Sequence, residues 1–186
     1  MEEFTPDLPM ILDGTLARED YPLLSQKLKP FDFANPLVDP ERLVQVMKDT
    51  MCKHKGIGLA ANQIGVNARV IMMGNPTAPE SLVPLFNPII VSTEFGEPLE
   101  VIYEEGCLTY PGMYIKIKRA RVVRVRFADA KGDVNTLTFD GLTARVVQHE
   151  VDHLEGIKFH DRANYFNLAA AKKHYLLLQR RIKNAG

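Results

Sequence analysis

The chain of 186 residues contains no tryptophan and only two cysteines, Cys52 and Cys107. A disulfide scaffold of this size would carry more, so a reducing compartment is expected. Net charge is also lacking, since 23 Lys and Arg balance 23 Asp and Glu. That excludes a bulk electrostatic nucleic-acid binder, and no sequence-specific nucleic-acid partner is expected. No apolar run approaches the roughly 20 residues that cross a bilayer, so no membrane partner is expected either. The start, Met1-Glu2-Glu3, is acidic and followed by prolines. It reads as neither a secretory signal nor an Arg-rich transit peptide, which points to a cytoplasmic setting. No proline occurs after Pro111, so the last third is free to form long helices.

What is present is unevenly placed. Residues 1–41 carry nine acids and three bases, whereas residues 165–186 carry five bases and no acid. Six of the 12 prolines fall in the first 40 residues, which predicts an extended, loop-rich start. There is no internal repeat and no low-complexity linker, so one domain over 1–186 is expected. Asp39-Pro40 has the form of a helix start, with Asp as N-cap and Pro at the first helical position. The helix should run to about His54, with Gly56 as its stop. From Arg69 to about Phe139 the pattern is that of strands. Val70–Met73 is a short apolar run, and Leu85–Val91 is interrupted by Pro88. Ile115 and Ile117 alternate with Lys116 and Lys118, and Val123, Val125 and Phe127 with Arg124 and Arg126. Each alternation predicts a strand with one wet face. Helical spacing returns at Gly141 through Leu142, Val146, His149 and His153. It recurs over 165–183 through Leu168, Ala171, Tyr175, Leu178 and Ile182. The expected class is α+β, with central antiparallel or mixed sheets around a buried helix and a C-terminal amphipathic helix.

The buried helix carries His149-Glu150-Val151-Asp152-His153, an H-E-x-x-H pattern. Histidines four apart on a helix project side by side and can hold one metal ion. The glutamate between them can reach a water on that ion as general base. A catalytic site needs a third protein ligand and an open position. Gly156 fits H-E-x-x-H-x-x-G-x-x-H, but Phe159 stands at the last position and His160 comes one residue late. Glu155 is read as a solvated charge. Cys107, in Glu105-Gly106-Cys107-Leu108-Thr109, has two readings. It is either a small buried hydrophobe or the third ligand of a Cys-His-His set. Cys52 is read as structural. Gly56-Ile57-Gly58-Leu59-Ala60-Ala61-Asn62-Gln63 is small enough for close backbone approach. Gln63 there offers an uncharged N–H donor of the kind that stabilises an oxyanion.

Taken together, G-x-G-L-A-A-x-Q at 56–63, E-G-C-L-T at 105–109 and Q-H-E-x-D-H-L-x-G at 148–156 resemble the peptide deformylase family, in the family's order and spacing. The resemblance runs from about Asp39 to Asp161. Residues 1–38 diverge, and Thr109 stands where the family usually has Ser.

The resemblance implies hydrolytic removal of the formyl group from the N-terminal formyl-methionine of new polypeptides. Cys107, His149 and His153 would hold one divalent metal ion, Fe(II) natively, with Zn, Ni or Co tolerated. Glu150 would be the general base and acid. Gln63 and the Leu108 N–H would hold the oxyanion. Gly58 would bind substrate by its main chain, and Ile57, Leu142 and Val146 would wall the methionine pocket. Glu105, paired with Arg119, and Asp152 are candidates to support the ligating imidazoles. Gly112, Met113 and Tyr114 suggest apolar grip on downstream substrate residues. The basic 165–183 helix suggests contact with the ribosome. Two alternatives are a general H-E-x-x-H metallopeptidase and a catalytically inactive binder of peptide N-termini.

Overall fold

The computed structural model describes residues 15–94 and 100–184. The expectation for the first 14 residues, and for the side chain of Ile182, lies outside the described residues. From 15 to 38 the chain is irregular apart from a 3-10 turn, Pro22–Ser25. Helix α1 spans Pro40–His54, and Asp39 caps it by accepting the Arg42 N–H at 2.8 Å. Such a cap is worth about 1 kcal/mol. The helix stops one residue before the expected glycine, since Lys55 takes the left-handed conformation at φ 55°. Gly56 is small for another reason: a Cβ there would lie 2.6 Å from Leu108 Cδ1.

Strands β1 (Gly58–Ala60), β2 (Val70–Met73), β3 (Val83–Glu94), β6 (Val122–Ala128) and β7 (Val134–Asp140) form one sheet. Its order is β1-β2-β3-β6-β7. Strands β4 (Glu100–Cys107) and β5 (Tyr110–Ala120) form a separate two-stranded ribbon. Every pairing among the described residues is antiparallel. Helix α2 spans Gly141–Leu154, and α3 spans Tyr165–Asn184.

Two cores lie on opposite faces of the five-stranded sheet. On one, Leu43, Met47 and Met51 of α1 pack with Val70, Met72 and Phe86. On the other, Ala144, Val147 and Leu154 of α2 pack with Ile71, Leu85, Val123 and Val125. β2 is therefore buried on both faces, which is why it reads as an unbroken apolar run. A third core joins the ribbon to α3 through Met113, Ile115, Ile117, Phe159 and Ala171. Leu168 and Tyr175 flank it, as the apolar stripe predicts, while Lys172, Lys173, Arg180 and Arg181 are exposed. Arg124, Arg126, Lys116 and Lys118 also face outward, as the alternation predicts. No helix among the described residues is long and apolar enough to cross a membrane.

The divergent start is tied down by β3. Asn87 bulges out of the strand at φ 50°, just before Pro88. Its side chain accepts the Phe31 N–H at 2.7 Å and donates to the Phe31 carbonyl at 2.9 Å. The Phe31 ring then meets Phe33 and Phe86 with centroids 4.9 and 4.8 Å away. The same segment closes the end of α2. Leu28 N–H donates to the Leu154 carbonyl at 2.8 Å, and from the 3-10 turn after β1 Asn62 Nδ2 donates to the His153 carbonyl at 2.8 Å. Carbonyls that a helix terminus leaves without intrahelical partners are thus satisfied.

Gly156 lies just past α2 at φ +71°, and a Cβ there would sit 2.8 Å from the main chain of Gln26 and Ser25. Gly156→Ala is expected to cost about 2 kcal/mol or more from left-handed strain and the clash. That corresponds to a melting temperature lowered by roughly 4–8 °C. A melt within one degree of the parent chain would contradict this account of the glycine.

Candidate active site

α2 places His149 and His153 one turn apart, with ring centroids 5.0 Å from each other. The ribbon brings Cys107 to them from the other side, with Sγ 3.4 Å from His153 Nε2. One ligand atom from each of Cys107, His149 and His153 lies within 4.8 Å of the others, and all three residues are buried. Burial alone would push the Cys107 thiol up. The imidazoles of His153 and His149 reverse that and hold it well below the ordinary thiol range. A thiolate beside two imidazoles is a donor set that suits a divalent transition metal. The reading of Cys107 as only a small hydrophobe does not account for this arrangement.

Glu150 is buried, and burial pushes its carboxyl up to about 6. Its Oε2 is buried without a hydrogen-bond partner, as is His153 Nδ1. The carboxylate lies directly against β1: a Cβ on Gly58 would collide with Glu150 Oε1 and sit 2.8 Å from Val146 Cγ1. Glycine at 58 is therefore what admits the helix to the strand. Gln63, on the 3-10 turn Ala61–Ile64, is held at both ends of its amide. Its Oε1 accepts the Ala60 N–H at 2.9 Å. Its Nε2 donates to Thr109 Oγ1 at 3.1 Å and points at Cys107 Sγ at 3.6 Å. Thr109, the departure from the usual Ser, retains the hydroxyl that this bond uses.

A cavity of about 580 Å³ opens beside these groups. Its walls include Ile57, Gly58, Gln63, Leu108, Leu142 and Val146, together with Cys107, His149 and Glu150. The volume suits a small ligand or the end of a peptide. Val146 is buried at the base, whereas Leu142 is 66% exposed and Ile57 45% exposed at the mouth. Tyr114 also lines it and is 60% exposed, its ring 2.9 Å from where a Cβ on Gly106 would stand.

The two supporting carboxylates are placed differently. Glu105 Oε2 accepts from His149 Nδ1 at 3.0 Å. Both of its oxygens accept from Arg119, Oε1 from Nε at 2.9 Å and Oε2 from Nη2 at 3.0 Å. Burial alone would raise its carboxyl, but the bonds from His149 and Arg119 outweigh burial and lower it to about 2. Asp152 touches neither imidazole. It accepts from Arg119 Nη1 at 2.5 Å and from Arg162 Nη2 at 2.5 Å. It is buried, so a solvated helix charge is not what the fold makes of it. Arg145, unremarked in the sequence, is also buried and donates to Glu105 Oε1 at 2.6 Å. Its one signal was position: a base four residues before His149, on the face that faces inward. Asn62 and Thr109 likewise act through partners far away in sequence.

One expectation changes. Glu155 is not merely solvated: it pairs with Arg69 at 2.7 Å and Lys27 at 2.9 Å, tying the N-terminal segment to the end of α2. His160, one residue late for the peptidase pattern, falls on the 3-10 turn Phe159–Arg162. Its ring meets Tyr110 edge-on at 5.4 Å and is not among the clustered ligands.

Comparison with known proteins agrees with the motifs. The family model described as polypeptide deformylase matches residues 15–168. A peptide deformylase of Prochlorococcus marinus (strain MIT 9515) is 42% identical over 128 residues, covering 67% of this chain and 61% of that protein. The chain thus spans about three fifths of the length of that relative. One from Caldanaerobacter subterraneus is 39% identical over 145 residues, covering 78% of this chain and 86% of that protein. Among solved structures, a peptide deformylase from Legionella pneumophila superposes with TM-score 0.78 at 31% identity. The match covers 91% of this chain and 96% of that one. One from Synechococcus elongatus, in complex with actinonin, gives TM-score 0.77 at 32% identity, covering 90% and 88%.

Asp152→Ala would leave buried Arg119 short of a partner. We expect a loss of about 3–5 kcal/mol, the usual result of breaking one side of a buried ion pair. Urea unfolding checks it: a change under about 0.5 kcal/mol is what a solvated surface charge would give.

Proposed function

The chain belongs to the polypeptide deformylase family, and from that premise we propose that it hydrolyses the formyl group from the N-terminal formyl-methionine of newly made polypeptides. The observation that carries the reading is the gathering of Cys107, His149, His153, Glu150 and Gln63 around one cavity. The inclusion of Cys107 favours it over a general H-E-x-x-H peptidase, which has no need of a thiolate. The presence of Glu150 and Gln63 favours it over an inactive binder.

Cys107, His149 and His153 would hold one divalent ion. Fe(II) is the native choice that the resemblance implies, and the same donors tolerate Zn, Ni or Co. When bound, that ion supplies a Lewis acid and a water acidified to near neutrality. The remaining roles belong to the chain. Glu150 takes the proton from the attacking water and delivers it to the leaving nitrogen, so that formate and a free amine result. A carboxyl raised by burial is suited to both halves of that transfer. The developing oxyanion accepts from Gln63 Nε2 and the Leu108 N–H. One such donor is typically worth about 3–4 kcal/mol. Ala60 and Thr109 hold the Gln63 amide in place, and the proton that points toward Cys107 Sγ is the one that the oxyanion would receive. The methionine side chain occupies the apolar wall of Ile57, Leu142 and Val146, and Gly58 offers its main chain to the substrate.

Downstream substrate residues leave past Pro111, Met113 and Tyr114, an apolar wall of the same cavity. The substrate emerges from a ribosome in the cytoplasm. The exposed Lys172, Lys173, Arg180 and Arg181 of α3 suit a phosphate-rich surface there.

The direct test is anaerobic assay of formyl-Met-peptide with Fe(II) or Ni loaded. The parent chain should release one formate per peptide, and Glu150→Ala should lose about 10²-fold or more in rate while retaining its metal. No formate from the parent chain would overturn the reading. Lys172→Glu with Lys173→Glu and Arg180→Glu should weaken co-sedimentation with ribosomes; unchanged co-sedimentation would remove the ribosome contact alone.

A further inference from the structure

The ligand set is divided between two elements. Cys107 ends β4 of the ribbon, while His149 and His153 ride on α2. Among the described residues, the ribbon forms its own two-stranded sheet and shares no strand pairing with the five-stranded sheet over which α2 packs. Main-chain hydrogen bonding therefore does not fix the distance from sulfur to imidazole. Side chains must.

Two charged contacts join the ribbon to α2 on either side of His149. On the C-terminal side, Arg119 of β5 reaches Asp152 at 2.5 Å. On the N-terminal side, Arg145 of α2 reaches Glu105 of β4 at 2.6 Å and the Ile117 carbonyl of β5 at 2.9 Å. Residues 145 and 152 are seven positions, two helical turns, apart, and so share one face about 10 Å from end to end. Between them, Gln148 of α2 exchanges two hydrogen bonds with the Ala120 main chain of β5, at 3.1 and 2.8 Å, so Arg145 is the fastening nearest the start of the helix. His149 sits between the two points and donates Nδ1–H to the same Glu105 carboxylate. That carboxylate is saturated by Arg119, Arg145 and His149, with each oxygen accepting twice.

We propose that Arg145 is a positioning residue for the metal ligands: it locks the helix carrying His149 and His153 to the ribbon carrying Cys107, acting through Glu105 and the Ile117 carbonyl. The inference rests on the deformylase reading of this site. Arg145 touches no reacting atom. Without it, Glu105 loses one of its four donors, and the ribbon loses its tie to the N-terminal side of His149; the contacts left are His149 with Glu105, Gln148 with the Ala120 main chain and Arg119 with Asp152.

Cobalt(II) is the probe, because its thiolate charge-transfer band reports the sulfur ligand separately from affinity. Chelator competition on the full chain should show Arg145→Met binding Co(II) at least about tenfold more weakly than the parent, as loss of a support for a metal ligand usually does. Its charge-transfer band should weaken. Arg145→Lys keeps the charge but not the two-point reach, and should fall between the two. If Arg145→Met does not fold, the Lys variant decides by the same two readouts. Affinity within twofold of the parent with an unchanged band overturns the inference, even if the metal-free variant melts lower. A parent chain that binds no Co(II) overturns the metal site itself, and the inference with it.

Discussion

The carboxylate of Glu105 is the point on which the site depends. It stands on β4, is forked by Arg119 from β5, and accepts from Arg145 and His149 of α2. Three charged side chains and an imidazole are thereby withdrawn from water. Burying ions costs several kcal/mol each, and their mutual attraction returns little more than that. Such a cluster adds little net stability. What it does is select one arrangement, because every other placement leaves a buried charge without a partner.

The rest of the fold is arranged to deliver groups to that cluster. β2 lies between α1 and α2 and fixes α2 relative to the sheet by apolar packing on both faces. β1, beside β2, then carries Gly58 against Glu150 and leads into the turn that holds Gln63. The close approach of strand to helix is possible only at a residue without a side chain. Gly56 plays the same part toward Leu108, so the end of α1 and the residue after Cys107 are pressed together. The two candidate oxyanion donors thus belong to separate elements whose spacing is set by glycine contacts.

How much of this the sequence discloses depends on how local the cause is. The Asp39 cap, the alternating strands and the His149–His153 spacing arise within a few residues, and each appears where the pattern predicts. α1 ends at His54 as the spacing predicts, but the left-handed residue is Lys55, while Gly56 meets the Leu108 side chain, a tertiary contact that no local rule contains. Glu155 reads as a surface charge until Lys27 and Arg69 arrive from distant segments. Arg145 looks like an interruption of an apolar helix face, and its meaning exists only once β4 supplies Glu105. The three motifs were legible because they hold the candidate catalytic and metal-binding groups. The residues that orient those groups are spread through the chain and recognisable only by their partners.

The two cysteines show how far the surroundings decide chemistry. Cys52 lies half-buried on α1 beside an apolar core and acts there as a small hydrophobe. Cys107 is the more buried of the two, and burial ordinarily makes a thiol harder to ionise. Here the imidazoles of His153 and His149 outweigh that effect and favour the thiolate. The same thiolate that suits a metal is the form that oxidants attack. The reducing environment expected from the scarcity of cysteine would also keep that thiolate intact. Cys107 is buried between the ribbon and α2, so the clamp proposed to order the ligands would also limit access of oxidants to the sulfur.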